Sequence, residues 1–156
     1  MKTPLRVVGV LVVGLALVLV AWRITGLNPR GPRPGLWLSG TLVTTPVTDW
    51  SFVDGYQTIE VQTNTWYLIP HSVTIWCVSH ENHLYLQTVG KMWKRNVDRD
   101  PHVRIKVGNQ LYDRTVVYVS DPAEFFGVEE SMAKKYARWT PDKDFLPNTF
   151  LRVMDN

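Results

Sequence analysis

The sequence predicts a mainly β protein, a small closed or partly closed barrel with a short basic helix and a terminal helix, preceded by one transmembrane helix. Three observations predict it. From Gly40 onward apolar residues recur mostly with period two, the spacing of one face of a strand. Aromatic residues are abundant, with 7 Trp, 6 Tyr and 5 Phe in 156 residues, and such residues favour pleated, half-buried surfaces. Ahead of this pattern lies a single long apolar run. The length suits one domain with an appendage rather than two domains.

Val7 to Trp22 reads VVGVLVVGLALVLVAW, without a polar side chain. At about 1.5 Å per residue it spans roughly 24 Å, slightly short of a hydrocarbon core of about 30 Å. Leu5, Ile24 and Leu27 lengthen it, Arg6 and Arg23 can snorkel to headgroups, and Trp22 suits the interface. A cleaved signal peptide is the competing reading, but Ala21-Trp22-Arg23-Ile24-Thr25-Gly26 offers no small-x-small pair closing the run. Residues 1–27 are therefore read as an uncleaved anchor, with membrane lipid as its partner. Positive charge flanks both ends, Lys2 and Arg6 against Arg23, Arg30 and Arg33, so charge bias selects no side for the domain. Residues 28–35, NPRGPRPG, hold three Pro and two Gly. They read as a stiff spacer that cannot be helical.

The barrel is assigned to residues 36–139. Gln57–Thr63 places Ile59 and Val61 on one face. Ser72–Ser79 alternates Val73, Ile75 and Cys77 with Thr74, Trp76 and Val78, so both faces look buried and the second is a candidate homodimer surface. His80-Glu81-Asn82-His83 turns it into Leu84–Thr88, a hairpin. Lys91–Arg99 is a short helix stopped before Asp100-Pro101, because the residue before proline resists the α conformation. His102–Val107 alternates Val103, Ile105 and Val107 inward, and Gly108-Asn109 turns it into Leu111–Val119. Asp121 caps a helix with Pro122 first and Glu124 third, running toward Trp139. The tail, 140–156, shows no clear period, although Phe145, Leu146, Phe150, Leu151 and Val153 suit it to packing back on the domain.

The formal net charge of +3 misleads. Five basic residues and no acidic one lie in positions 1–33, leaving 12 basic against 14 acidic side chains in 34–156. A nucleic-acid binder keeps a basic face on its folded domain, so nucleic acid is excluded as a partner. Cys77 stands alone, within an apolar strand, and reads as a buried small hydrophobe. His80 and His83 flank a turn with Glu81 between them; zinc needs further ligands, so no metal site is predicted.

Chemistry points to Leu84–Pro101, LYLQTVGKMWKRNVDRDP, where a strand ends, a glycine follows and a basic helix begins. Lys91, Lys94 and Arg95 share one helix face by their spacing. Backbone amides at that helix start, beside Lys91, make a seat for phosphate. A solvated basic face balanced by Asp98 and Asp100 is the plainer reading of the same pattern.

The order of strand, hairpin, LYL-T, basic helical turn, Asn96 and then DPHVRIKVGNQLYDRTVVYVSD with a terminal helix resembles the split β-barrel superfamily. That superfamily comprises pyridoxamine-phosphate oxidases, FMN-binding flavoproteins and deazaflavin-dependent nitroreductases. The resemblance covers about residues 40–138. It implies a barrel that dimerises and binds FMN or a deazaflavin between subunits. Carried over by position, it implies that His71, Ser72 and Thr74 meet the isoalloxazine or phosphate. Gln87 and Thr88 would lie beside the ring, and Lys91 with Lys94, and Arg95 next to them, would hold the phosphate. Two departures stand out: the loop that carries Ser in the oxidases is only Val89-Gly90, and His71 lies near the place of an oxidase arginine.

Two functions follow. One is a membrane-anchored flavin or deazaflavin protein, an oxidoreductase on a small apolar substrate. The other is a tethered split-barrel module for binding or assembly that holds no redox cofactor.

Overall fold

The computed structural model describes residues 3–88 and 91–154, with side chains over 7–88 and 92–154. The Val89-Gly90 loop and the side chains of Lys2, Arg6 and Lys91 lie outside the described residues. Helix α1 covers Thr3–Thr25, and strand β1 is the short Thr41–Leu42. A 3-10 turn over Ser51–Gly55 precedes β2 (Ile59–Thr63), β3 (His71–Ile75), β4 (Cys77–His80) and β5 (His83–Gln87). Then come α2 (Lys91–Arg99), β6 (His102–Val107), β7 (Gln110–Tyr118), α3 (Pro122–Lys135) and β8 (Phe150–Met154).

The sheet runs β3-β2-β6-β7-β8-β5-β4, with β1 parallel beside β7. Its other pairings are antiparallel. The strands at the two ends of this path, β3 and β4, are consecutive in sequence and separated only by Trp76. A sheet whose ends are joined by one residue must curl on itself, which gives the small split barrel. The Ser72–Ser79 run expected as one strand is thus two, bent at Trp76 so that β3 pairs with β2 and β4 with β5.

Local chemistry explains the turns and helix ends. Glu81 and Asn82 both take positive φ, 47° and 66°, where His80 pairs with His83, the geometry of a two-residue hairpin turn. Asp121 caps α3 through the Ala123 N–H at 3.2 Å, with Pro122 in the first turn. That helix stops at Lys135, short of Trp139, where the Tyr136 N–H caps the Met132 carbonyl.

Side chains alternate between two cores. The barrel interior holds Trp50, Val61, Ile75, Cys77, Leu86, Ile105, Leu151 and Val153. A second cluster outside the sheet, under α3, holds Val78, Tyr85, Phe125, Val128, Met132, Tyr136 and Phe150. This corrects the expectation for Trp76 and Val78: their face is covered within the same chain, with Trp76 stacked on Tyr136 at 4.7 Å and tilted against Trp139 at 5.9 Å.

Two further corrections concern the ends. Phe150–Met154, from the tail without apparent period, forms β8 between β7 and β5. The 28–35 segment does not stand off as a spacer. Leu27 and Leu36 exchange backbone hydrogen bonds with neighbours across a turn, and Gly35 pairs with Ser72 in both directions, at 2.9 and 3.0 Å. A Cβ on Gly35 would come within 2.2 Å of the Leu27 carbonyl oxygen and 2.6 Å of Ser72 Oγ, so this crossing needs glycine. Among the described residues one helix, α1, is long and apolar enough to cross a bilayer: Val7–Thr25 has mean hydropathy 2.6 and none of it is buried against the barrel. A signal sequence has the same character.

Candidate functional site

The β3 strand, the turn at Trp76 and the end of β5 wall a surface cavity of about 490 Å³, lined by Thr58, Thr74, Ile75, Trp76 and Gln87, with Gly31 and Pro32 across from them. A neighbouring hollow of about 370 Å³ shares Gly31, Pro32, Thr74 and Ile75 and adds Arg33, Pro34, His71 and Val73. The two form one surface along β3. Its floor is apolar, while Thr58, Thr74 and Gln87 supply hydroxyl and amide groups that both donate and accept. Such a lining suits the edge of a flat heterocycle that alternates N–H and C=O groups.

His71 stands at the far end of this surface. Burial pushes its imidazole pKa down, so the ring is neutral at neutral pH. Its Nδ1 is buried without a hydrogen-bond partner among the described residues. Arg33, exposed on the same rim, brings a cation to the lining of this hollow.

The eight residues expected at a cofactor site divide. Thr74 and Gln87 share the larger cavity, and His71 and Thr74 share the smaller. Ser72 faces away from both: it is fully buried beneath Gly35, and its Oγ has no hydrogen-bond partner among the described residues. The Thr88 hydroxyl reaches the carbonyls of Asn148 and Thr149, at 2.5 and 2.9 Å, and ties the end of β5 to the chain before β8. On α2, Lys94 donates to Asp98 at 3.1 Å and to the Tyr118 hydroxyl at 3.0 Å, and that hydroxyl donates to Asp98 at 2.7 Å. The Tyr118 contact first, and the Lys94 contact after it, hold the Asp98 carboxyl below its ordinary pKa. Arg95 is exposed on the same helix, and the backbone of Lys91 opens it four residues after Gln87. Inward, Asn96 donates to Thr63 Oγ1 at 3.0 Å and Trp93 is buried in the core, which fixes α2 against β2.

Sequence reasoning missed Thr58, Trp76 and the Gly31–Arg33 turn as parts of this surface. Thr58 lies just ahead of β2, and its only signal was its exposed phase in that strand. The turn gave none, because it reaches the cavity through the Gly35–Ser72 pairing. A separate polar cluster surrounds Cys77. Lys135 Nζ donates to the carbonyls of Cys77 and Val53 at 2.7 and 3.0 Å, and the Tyr136 hydroxyl accepts from the Cys77 N–H at 3.1 Å. Burial pushes the Cys77 thiol up to about 11, with Lys135 opposing it, so the sulfur stays protonated at neutral pH. Among the described residues no three His, Cys, Asp or Glu side chains gather as a metal site would require.

No protein-family model and no curated protein matches this sequence. Solved structures do. A conserved hypothetical protein of Mycobacterium tuberculosis is 20% identical, matching 65% of this chain and 73% of its own with a TM-score of 0.52. An F420-H2-dependent reductase is 14% identical, over 64% of this chain and 95% of its own, also at TM-score 0.52. A pyridoxamine 5'-phosphate oxidase homologue from Listeria innocua is 16% identical over 66% and 86%, at TM-score 0.51. The chain shares the small split-barrel fold of these proteins.

Proposed function

We propose that the chain is a membrane-anchored split-barrel protein that binds FMN or a deazaflavin and acts with it as an oxidoreductase on a small apolar substrate. The cavity along β3 carries this reading, because it joins an apolar floor to Thr74 and Gln87 and ends at His71. When bound, the flavin or deazaflavin would supply the hydride chemistry. The protein's part is to hold the ring edge at Thr74 and Gln87 and the phosphate at Lys91 and Arg95, where α2 begins. Ser72, Thr88 and Lys94 support those positions, through β3, the β5 end and the Asp98 pair respectively. The structural likeness to an F420-H2-dependent reductase agrees with this assignment. A homodimer completes the proposal, and light scattering of the detergent-solubilised chain checks it against a monomer.

One observation favours the cofactor-free module instead. Ser72, Thr88 and Lys94 are engaged or sealed by the fold itself. The purified full-length chain separates the two readings. Flavin or deazaflavin absorbance in the isolated protein, or saturable quenching of tryptophan fluorescence on titration, supports cofactor binding. Losing one charge-assisted phosphate contact costs about 1.5–3 kcal/mol, so Lys91→Ala should weaken binding roughly ten- to a hundredfold. Lys134→Ala, whose amine pairs with Glu130 on α3, should leave it unchanged. Absence of binding by either cofactor at millimolar concentration assigns the chain to the cofactor-free module.

A further inference from the structure

The loop between β2 and β3 presents Trp66, Tyr67 and Leu68 to solvent at 79%, 46% and 89% exposure. The loop is held in this shape. Thr65 is buried and its hydroxyl donates to the Ile69 carbonyl at 2.6 Å, while the Arg99 guanidinium donates to the Asn64 carbonyl at 2.5 Å. Leu68 adopts φ of 65°, the left-handed region that leucine ordinarily avoids. Trp66 and Tyr67 meet edge to face at 5.4 Å. Three adjacent apolar side chains are therefore turned outward by a built loop.

Two routes place that loop beside the exit of α1. Leu68 and Arg23, in the last turn of α1, line one cavity of about 600 Å³. Ser72, four residues after Leu68, pairs with Gly35, and the adjoining Leu36 pairs with Leu27, just past α1. Arg23 stands on that cavity wall together with Asp100 and with Arg104, which is paired with Asp113 at 2.6 Å, and Arg99 at the end of α2 donates to the loop.

We propose that Trp66, Tyr67 and Leu68 seat in the lipid–water interface of the bilayer that α1 crosses, giving the barrel a second, monotopic contact. Tryptophan and tyrosine favour the headgroup level, leucine the acyl boundary just below it, and arginines the anionic headgroups. A bilayer is the occupant because the loop adjoins a helix whose apolar surface is bare over Val7–Thr25. Two attachments would fix which face of the barrel meets the membrane. The inference rests on the anchor reading, and the test separates the two.

The full-length chain is placed in vesicles of equimolar phosphatidylcholine and phosphatidylglycerol, with a nitroxide at Leu68→Cys. The unsubstituted chain, whose Cys77 is buried, serves as the blank. A second label at Asn109→Cys lies beyond the opposite end of β6, about 20 Å away at about 3.3 Å per residue. A third at Leu15→Cys reports on α1. Collision with oxygen, which concentrates in lipid, is compared with collision with a water-soluble nickel chelate. The expected result is an oxygen preference at Leu68 several-fold above that at Asn109, together with a still larger one at Leu15. A water-like Leu68 label with Leu15 in lipid overturns this proposal and leaves the anchor standing. A water-like Leu15 label overturns the anchor, and the loop's seat with it. Dipolar broadening between Leu68 labels without oxygen preference shows a second copy covering the loop, and also overturns the proposal.

Discussion

Glu129 shows how one buried side chain sets a pH dependence. Its Oε2 accepts from the Trp139 indole N–H at 2.6 Å and the Asp142 N–H at 3.2 Å, and its Oε1 has no partner among the described residues. Burial pushes the carboxyl pKa up, with the Trp139 contact opposing it. A raised acid pKa means the folded chain holds the proton more tightly than the unfolded one. Stability from this group is therefore full below the ordinary carboxylate range and is lost as pH rises through the raised value. Glu129→Gln keeps an acceptor for Trp139 and removes the charge. It should be more stable than the native chain at neutral pH, with the difference closing toward about pH 4. Urea unfolding at both pH values checks this, and a difference independent of pH would contradict it. Glutamate at this position gave no sequence signal, because an acid beside Glu130 on a helix reads as solvated. Cys77 was legible, since an isolated cysteine amid Ile75, Trp76 and Val78 has an apolar environment written around it.

Among the elements, legibility followed locality. The bounds of α2 and the cap of α3 were readable because Asp100-Pro101 and Asp121-Pro122 act on their own neighbours. β8 was not readable. Phe150 enters the outer cluster while Leu151 and Val153 enter the barrel, so the strand opens on two apolar residues facing opposite cores and only Leu151-Arg152-Val153 alternates, too short a stretch to stand out. The 28–35 segment failed differently: its prolines exclude a helix, but its partner, Ser72, lies far along the chain. That pairing makes a specific prediction. Gly35→Ala forces a side-chain carbon against the backbone at Leu27 and Pro29, and should cost about 1–3 kcal/mol. The loss should appear as a lower urea midpoint, with faster amide exchange at Gly35 and Ser72. Gly55→Ala, with open space around it, is the control and should change neither.

At the scale of the whole molecule, the anchor and the barrel make separable claims. The anchor reading expects the full-length chain to stay in the membrane fraction through an alkaline carbonate wash. Release into the supernatant, or a mature N-terminus near Gly26, would show a cleaved leader instead. The barrel carries a different consequence, for how copies of the chain can meet. A sheet ordinarily ends in strands whose outward amides and carbonyls invite another strand. Here the outer side of β3 is bridged by Gly35. The outward N–H groups of Cys77 and Ser79 on β4 are taken by the Tyr136 hydroxyl and the Asp54 carboxylate, and the Cys77 carbonyl by Lys135. With Ser72, Cys77 and Ser79 engaged from within, these positions offer a neighbouring strand no free backbone. Loss of the Gly35 or Lys135 plug would reopen them, and strand-by-strand aggregation is the hazard that follows.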